Sequence, residues 1–123
     1  MSQPTVLIID DEAWQRGIYE RLLTKAGYRC RQAAHPAEAI ALVEQATPSV
    51  IVLDALLEGN TAFVLLNELQ SDATLAAIPI VLSTNIAADL SLRDMAPYGV
   101  RRIIDKTTAH PADIVTAVKA VLA

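Results

Sequence analysis

The stretch Val50-Ile51-Val52-Leu53-Asp54 constrains this chain more than any other. Consecutive apolar residues, most of them β-branched, stop abruptly at a carboxylate, with Thr47-Pro48-Ser49 before them and Glu58-Gly59-Asn60 after. A run so short and so apolar reads as a strand buried on both faces, the usual condition of a parallel strand inside a sheet. An acid at the end of such a strand is costly to bury unless something uses it. The carboxyl ends of parallel strands are where α/β sheets build their sites. The groups delivered by the other strand ends therefore decide what Asp54 does.

Those ends come in order along the chain. Thr5 to Ile9 is a β-branched run that ends in Asp10-Asp11-Glu12. Trp14, Ile18 and Leu22 then recur every four residues, with Tyr19, Leu23 and Ala26 beside them, which predicts a helix stopped at Gly27 and weakened internally by Gly17. Tyr28 to Ala33 alternates as an edge strand does. Pro36 suits the first turn of a second helix whose buried stripe is Ala39, Ile40, Val43 and Ala46. After Asp54, Thr61 is the expected N-cap of a third helix with Ala62, Leu65, Leu66 and Leu69 inside. Ile80 to Ser83 reads as a fourth strand ending near Thr84. Ala87 to Met95 reads as a fourth helix closed by Pro97, and Val100 to Ile104 as a fifth strand ending at Asp105-Lys106. His110-Pro111 opens a last helix with Ile114, Val115, Val118, Val121 and Leu122 on one stripe. Strand alternates with helix five times. Such connections demand parallel strands with right-handed crossovers, hence an open sheet with helices on both faces.

At 123 residues the chain reads as one domain, and no linker, repeat or effector domain is expected within it. Apolar residues make up 53%, and the net charge is −4 with no basic run, which argues against direct nucleic-acid binding. The lone Cys30 fits a reducing cytoplasm. No apolar run approaches a membrane span and no secretory leader is expected. Cys30 reads as a small packing residue, and His35 and His110 as helix-start residues. Trp14 reads as packing or partner surface.

Parallel strands point the same way, so Asp10, Asp11, Glu12, Asp54, Ser83, Thr84 and Lys106 are expected at one sheet edge. Clustered carboxylates repel one another unless a cation joins them. Oxygen-only ligands select a hard ion, and a site with few protein ligands suits Mg²⁺. A carboxylate can act as a nucleophile towards phosphorus, and a metal and a lysine can then neutralise the phosphoryl oxygens. A hydroxyl can donate to one of those oxygens; spacing favours Thr84 over Ser83 for this.

Over essentially its whole length the chain resembles the receiver domain of two-component response regulators, of the chemotaxis-regulator type. The likeness rests on Asp10-Asp11, Asp54, Thr84 and Lys106 at successive strand ends, separated from Asp11 onward by 43, 30 and 22 residues. The resemblance implies a flavodoxin-like, doubly wound five-stranded parallel sheet of strand order 2-1-3-4-5 with five helices, forming a single receiver domain over residues 1–123. It implies that Asp54 accepts a phosphoryl group from a sensor histidine kinase or phosphotransfer protein. Asp11 and Asp54, the backbone carbonyl of Leu56, and Asp10 partly through water, would hold Mg²⁺. Lys106 would contact the acyl phosphate and Thr84 would move to hydrogen-bond it. The surface of the fourth helix, fifth strand and fifth helix would then shift towards a downstream protein target. The implied protein is a cytoplasmic switch rather than an enzyme, with slow self-dephosphorylation at most, and that surface is also where a homodimer would form.

Some positions depart from the family pattern. Ile103 stands where an aromatic usually follows the threonine's movement, and Thr107 where proline usually follows the lysine. Glu58 replaces a usual proline, Ala62 a glycine, and Asn85 a small residue. Leu56, Asn85 and Ile86 are expected to set the lifetime of the phosphorylated form. The Ile103 and Thr107 departures keep open a phosphorylation-independent docking module. A Mg²⁺-dependent aspartate phosphatase would need Asp-x-Asp where Asp10 and Asp11 are adjacent, and a flavin-binding flavodoxin would need a Ser/Thr/Gly-rich first loop.

Overall fold

The computed structural model describes residues 3–55 and 61–123. Five parallel strands, β1 (Thr5–Ile9), β2 (Arg29–Ala33), β3 (Val50–Leu53), β4 (Ile80–Thr84) and β5 (Val100–Asp105), lie in the order β2-β1-β3-β4-β5. This is the expected flavodoxin-like sheet. β1 and β3 are neighbours although β2 intervenes in sequence, so the order reverses beside β1, and the crevice of such a fold opens there.

The pleat sorts the core into two layers. Val6, Ile8, Val50, Val52 and Val81 face the helices α1 (Ala13–Lys25) and α6 (Asp113–Leu122). Leu7, Ile9, Ile51, Leu53, Ile80 and Leu82 face α2 (Pro36–Gln45) and α3 (Thr61–Gln70). Each strand residue changes face with its neighbour, as period-2 geometry requires. All of β3 is buried, as its sequence predicts.

Local signals set the helix ends. α1 ends in a Schellman motif: Tyr28 N–H donates to Leu23 O and Gly27 N–H to Thr24 O. Gly27 takes φ +102°, which a side chain would strain. At α2, His35 Nδ1 accepts from Glu38 N–H, and Glu38 reaches back to Ala34 N–H, with Pro36 in the first turn.

Several expectations are corrected. The helix expected over Ala87–Met95 is broken. A 3₁₀ turn at Ala87–Asp89 gives way to Leu90 in extended backbone, then to the four-residue α5 (Leu92–Met95) and a second 3₁₀ turn at Ala96–Tyr98. Leu90 and Met95 still pack on the core, but too few apolar anchors lie between them to hold one continuous helix on the sheet. A further four-residue helix, α4 (Ala73–Ala76), is capped by Asp72, whose carboxylate accepts from Thr74 and Leu75 N–H. The inner stripe of α1 runs through Ile18, Tyr19, Leu22 and Leu23 as expected, but Trp14 is 64% exposed and Ala26 is exposed too. Ala46 is likewise exposed at the end of α2, so it lies outside the stripe assigned to it. The capping role expected of the Thr61 side chain lies outside the described residues.

β5 carries a bulge. Ile80 pairs with Val100 but Val81 pairs with Arg102, so Arg101 is an extra residue. Val100 and Ile103 would face opposite sides in a regular strand; the bulge turns both towards the α2–α3 layer and leaves Arg101 and Arg102 exposed.

Two substitutions check this packing by urea unfolding. A Cβ added at Gly17 meets nothing within 4 Å, so Gly17→Ala should stabilise the fold by about 0.5–1 kcal/mol. Leu82→Ala, which empties a fully buried site, should cost about 2–5 kcal/mol.

Candidate functional site

The sheet ladder runs one residue past three strands, and those residues carry the site. Asp10 N–H donates to Ala33 O, Asp54 N–H to Ile9 O, and Lys106 N–H to Thr84 O. Each side chain thus leaves from backbone held as firmly as the strands. Asp10 and Asp54 are both buried, and Asp11 is exposed at the mouth.

Oxygens of Asp10, Asp11 and Asp54 all lie within 4.8 Å of one another, which fits the ligand spacing of a small divalent cation. Opposite them stands Lys106, whose Nζ is 2.8 Å from Asp10 Oδ2 and 3.4 Å from Asp54 Oδ2. Burial by itself would lower the lysine's pKa. The hydrogen bond and charge of Asp10, with the charge of Asp54, outweigh it and hold the ammonium above its ordinary value. Asp10 is engaged at both oxygens, because its Oδ1 also accepts from Glu12 N–H at 2.9 Å.

Thr84 is fully buried at the end of β4, and its Oγ1 accepts from Ile86 N–H at 3.2 Å. Ser83, the hydroxyl that spacing disfavours, points away from Thr84. Ser83 faces the α1 side, where its Oγ is hydrogen-bonded to the buried Tyr19 hydroxyl. Asn85 is exposed beside the site, and Ile86 is partly buried against the α2–α3 layer. Ile103 is partly buried in that same layer. Thr107 makes a turn contact that proline could not: its N–H and Oγ1 both donate to Asp105 Oδ1. These bonds hold the Asp105 carboxyl below its usual value. Leu56 and Glu58 lie outside the described residues.

Two contributors escape sequence reading. Arg16 Nη1 donates to the Asp10 carbonyl at 2.6 Å, and its Nε donates to Gln32 Oε1 at 2.9 Å. Gln32 in turn donates to Glu20. This chain of contacts clamps the acidic loop to α1 and β2. An arginine one turn after Glu12 was the available signal. Tyr19 was legible only as an apolar neighbour in a helix, because its partner lies 64 residues away.

Burial raises the Tyr19 pKa, and Lys106 is raised as well, from ordinary values of 10.0 and 10.5. Groups whose pKa is higher in the folded state hold protons that the unfolded chain has already lost, so stability falls as pH rises through those values. Unfolding free energy should therefore decline above about pH 10. Urea titrations at pH 8 and pH 11 should show that decline reduced in Lys106→Met.

The family model of the response regulator receiver domain matches residues 6–119. Phosphate regulon transcriptional regulatory protein PhoB of Pseudomonas aeruginosa is 32% identical over 118 residues, 96% of this chain and 51% of that protein. Protein PilH of the same organism is 29% identical over 79 residues, 64% of this chain and 65% of that protein. The chain thus spans about half the length of the first relative and just under two-thirds of the second. Chemotaxis protein CheY4 of Vibrio cholerae superposes with a TM-score of 0.84 over 98% of this chain and 100% of its own, at 23% identity, a likeness of fold. Among the described residues no helix is long and apolar enough to cross a membrane. Receiver domains bind Mg²⁺ at an acidic pocket and act as signalling switches rather than as conventional enzymes. With the match running from the second residue of β1 into α6, this chain belongs to the response regulator receiver domain family.

Proposed function

We propose that the chain is a phosphorylatable switch of a two-component phosphorelay, a single receiver domain over residues 1–123 working in the cytoplasm. The observation that carries this reading is the meeting of three carboxylates and one lysine at the carboxyl edge of the sheet. A carboxylate oxygen of Asp54 attacks the phosphorus of a phosphohistidine on a sensor kinase or phosphotransfer protein. The new P–O bond forms as the P–N bond breaks, and the histidine leaves with the bonding pair and takes up a proton.

Asp11 and Asp54 would hold Mg²⁺ directly, with the Leu56 carbonyl and with Asp10 through water. A bound ion would offset carboxylate repulsion and charge on the phosphoryl oxygens. The water-mediated role fits Asp10 because both its oxygens already have partners. Lys106 turns from the carboxylates to the phosphoryl oxygens. Thr84, whose oxygen accepts locally, has its proton free to donate there. The outcome is a shift in the surface offered to a downstream protein, with the bulged β5 and α6 as its frame. A groove there, lined by Arg102, Ile103, Ile104, Thr116 and Ala117, is also the face for a homodimer.

A phosphorylation-independent docking module is the second reading, favoured by an aliphatic Ile103 held in the core layer where an aromatic would swing. Intact mass after incubation with Mg²⁺ and acetyl phosphate separates the two. One phosphoryl addition is expected, absent in Asp54→Asn and lost when Mg²⁺ is chelated. No addition from acetyl phosphate or from a cognate kinase would favour docking. Leu56→Asn and Asn85→Ala should each change the rate at which the label is lost; unchanged rates in both would remove local control of the lifetime.

A further inference from the structure

The Tyr19 hydroxyl and Ser83 Oγ form a buried hydrogen bond between α1 and β4, and neither residue is part of the acidic cluster. Tyr19 is 4% exposed and Ser83 1%. Tyr19 belongs to the core layer that holds Val52, Val81, Ile114 and Val118, the last two on α6. Tyr19 and Lys106 also line one small cleft with Gln15, Ala109 and His110, where α1 meets the approach to α6.

Ser83 and Thr84 are adjacent on β4 and point to opposite faces. Any movement of the last β4 residues towards Asp54 therefore moves Ser83 on the α1 side as well. The Lys106 amide is bonded to Thr84 O, so the lysine and the end of β4 are coupled through backbone. Ser83 is latched to Tyr19, and Tyr19 shares its core layer with α6. On the other face Ile103 offers no polar group to follow Thr84.

We infer that Tyr19 is a positioning residue that relays the state of the acceptor site through Ser83 to the α1–α6 face. This inference rests on the phosphorylation reading above. The α1–α6 cleft is then a surface that differs between the free and phosphorylated forms.

The experiment follows amide and methyl shifts of Ile114 and Val118 in the full chain, with Mg²⁺ and acetyl phosphate, alongside intact mass. In the parent protein one phosphoryl addition should be accompanied by shift changes at both residues. In Tyr19→Phe the addition should persist while those changes fall to less than half. Ser83→Ala is the parallel variant should Tyr19→Phe fold poorly. Each single change leaves a buried hydroxyl unpaired, whereas the double variant Tyr19→Phe/Ser83→Ala leaves none. The double variant should recover stability but not the shift changes, which separates relay from packing. Full shift changes in a phosphorylated Tyr19→Phe would overturn the inference. Loss of phosphoryl addition in a folded Tyr19→Phe would overturn it too, by making Tyr19 part of the acceptor site. Absence of phosphoryl addition in the parent protein would instead sink the functional reading, and this inference with it.

Discussion

Every feature of the acidic site depends on parallel hydrogen-bonded register. The ladder continues past β1, β3 and β5 by one residue, and in doing so fixes the backbone of Asp10, Asp54 and Lys106. Because the strands point the same way, those residues emerge side by side. Because β1 lies between β2 and β3, the two buried acids flank the reversal in strand order. A shift of one residue in any of these strands would turn its acid or lysine to the opposite face. The wholly apolar β3 resists such a shift only through its neighbours, since both of its faces are alike.

Charge then decides what the register has assembled. Two buried carboxylates side by side are unfavourable, and Lys106 offsets them with one short contact and one longer one. One ammonium against two carboxylates still leaves the balance negative, and Asp11 deepens it with a third carboxylate within the same few ångströms. That residual charge is what suits the pocket to a hard cation. The backbone clamp from Arg16 works differently: it spends its charge on a carbonyl and on Gln32, so it stiffens the loop without neutralising the acids.

The far side of the site shows how one insertion redirects a strand. Arg101 as a bulge brings Ile103 onto the same layer as Val100. The aliphatic side chain there packs and stays. The polar connection from β4 runs the other way, through Ser83 to Tyr19 on α1. The two faces of the sheet are thus unlike, one apolar around Ile103 and one carrying a hydrogen bond to α1.

Much was legible from the residues alone. Apolar runs ending in acids marked β1 and β3, because burial on both faces leaves no other reading. Parallel order follows from alternation with helices, and the shared edge of Asp10, Asp11, Asp54, Thr84 and Lys106 follows from parallel order. Periodicity extended the α1 stripe one turn too far, to Trp14, whose indole instead hydrogen-bonds Glu12 beyond the end of the sheet. It also joined Ala87 to Met95 into one helix, because a window of hydrophobic spacing does not register an extended residue such as Leu90. What Arg16 holds and where Tyr19 finds its partner were decided only by the tertiary structure. Those choices depend on contacts between residues far apart in the chain, and local patterns carry no information about the partner. Strand identity and the edge where chemistry collects were set by local composition; the pairing of polar groups across elements was set by packing.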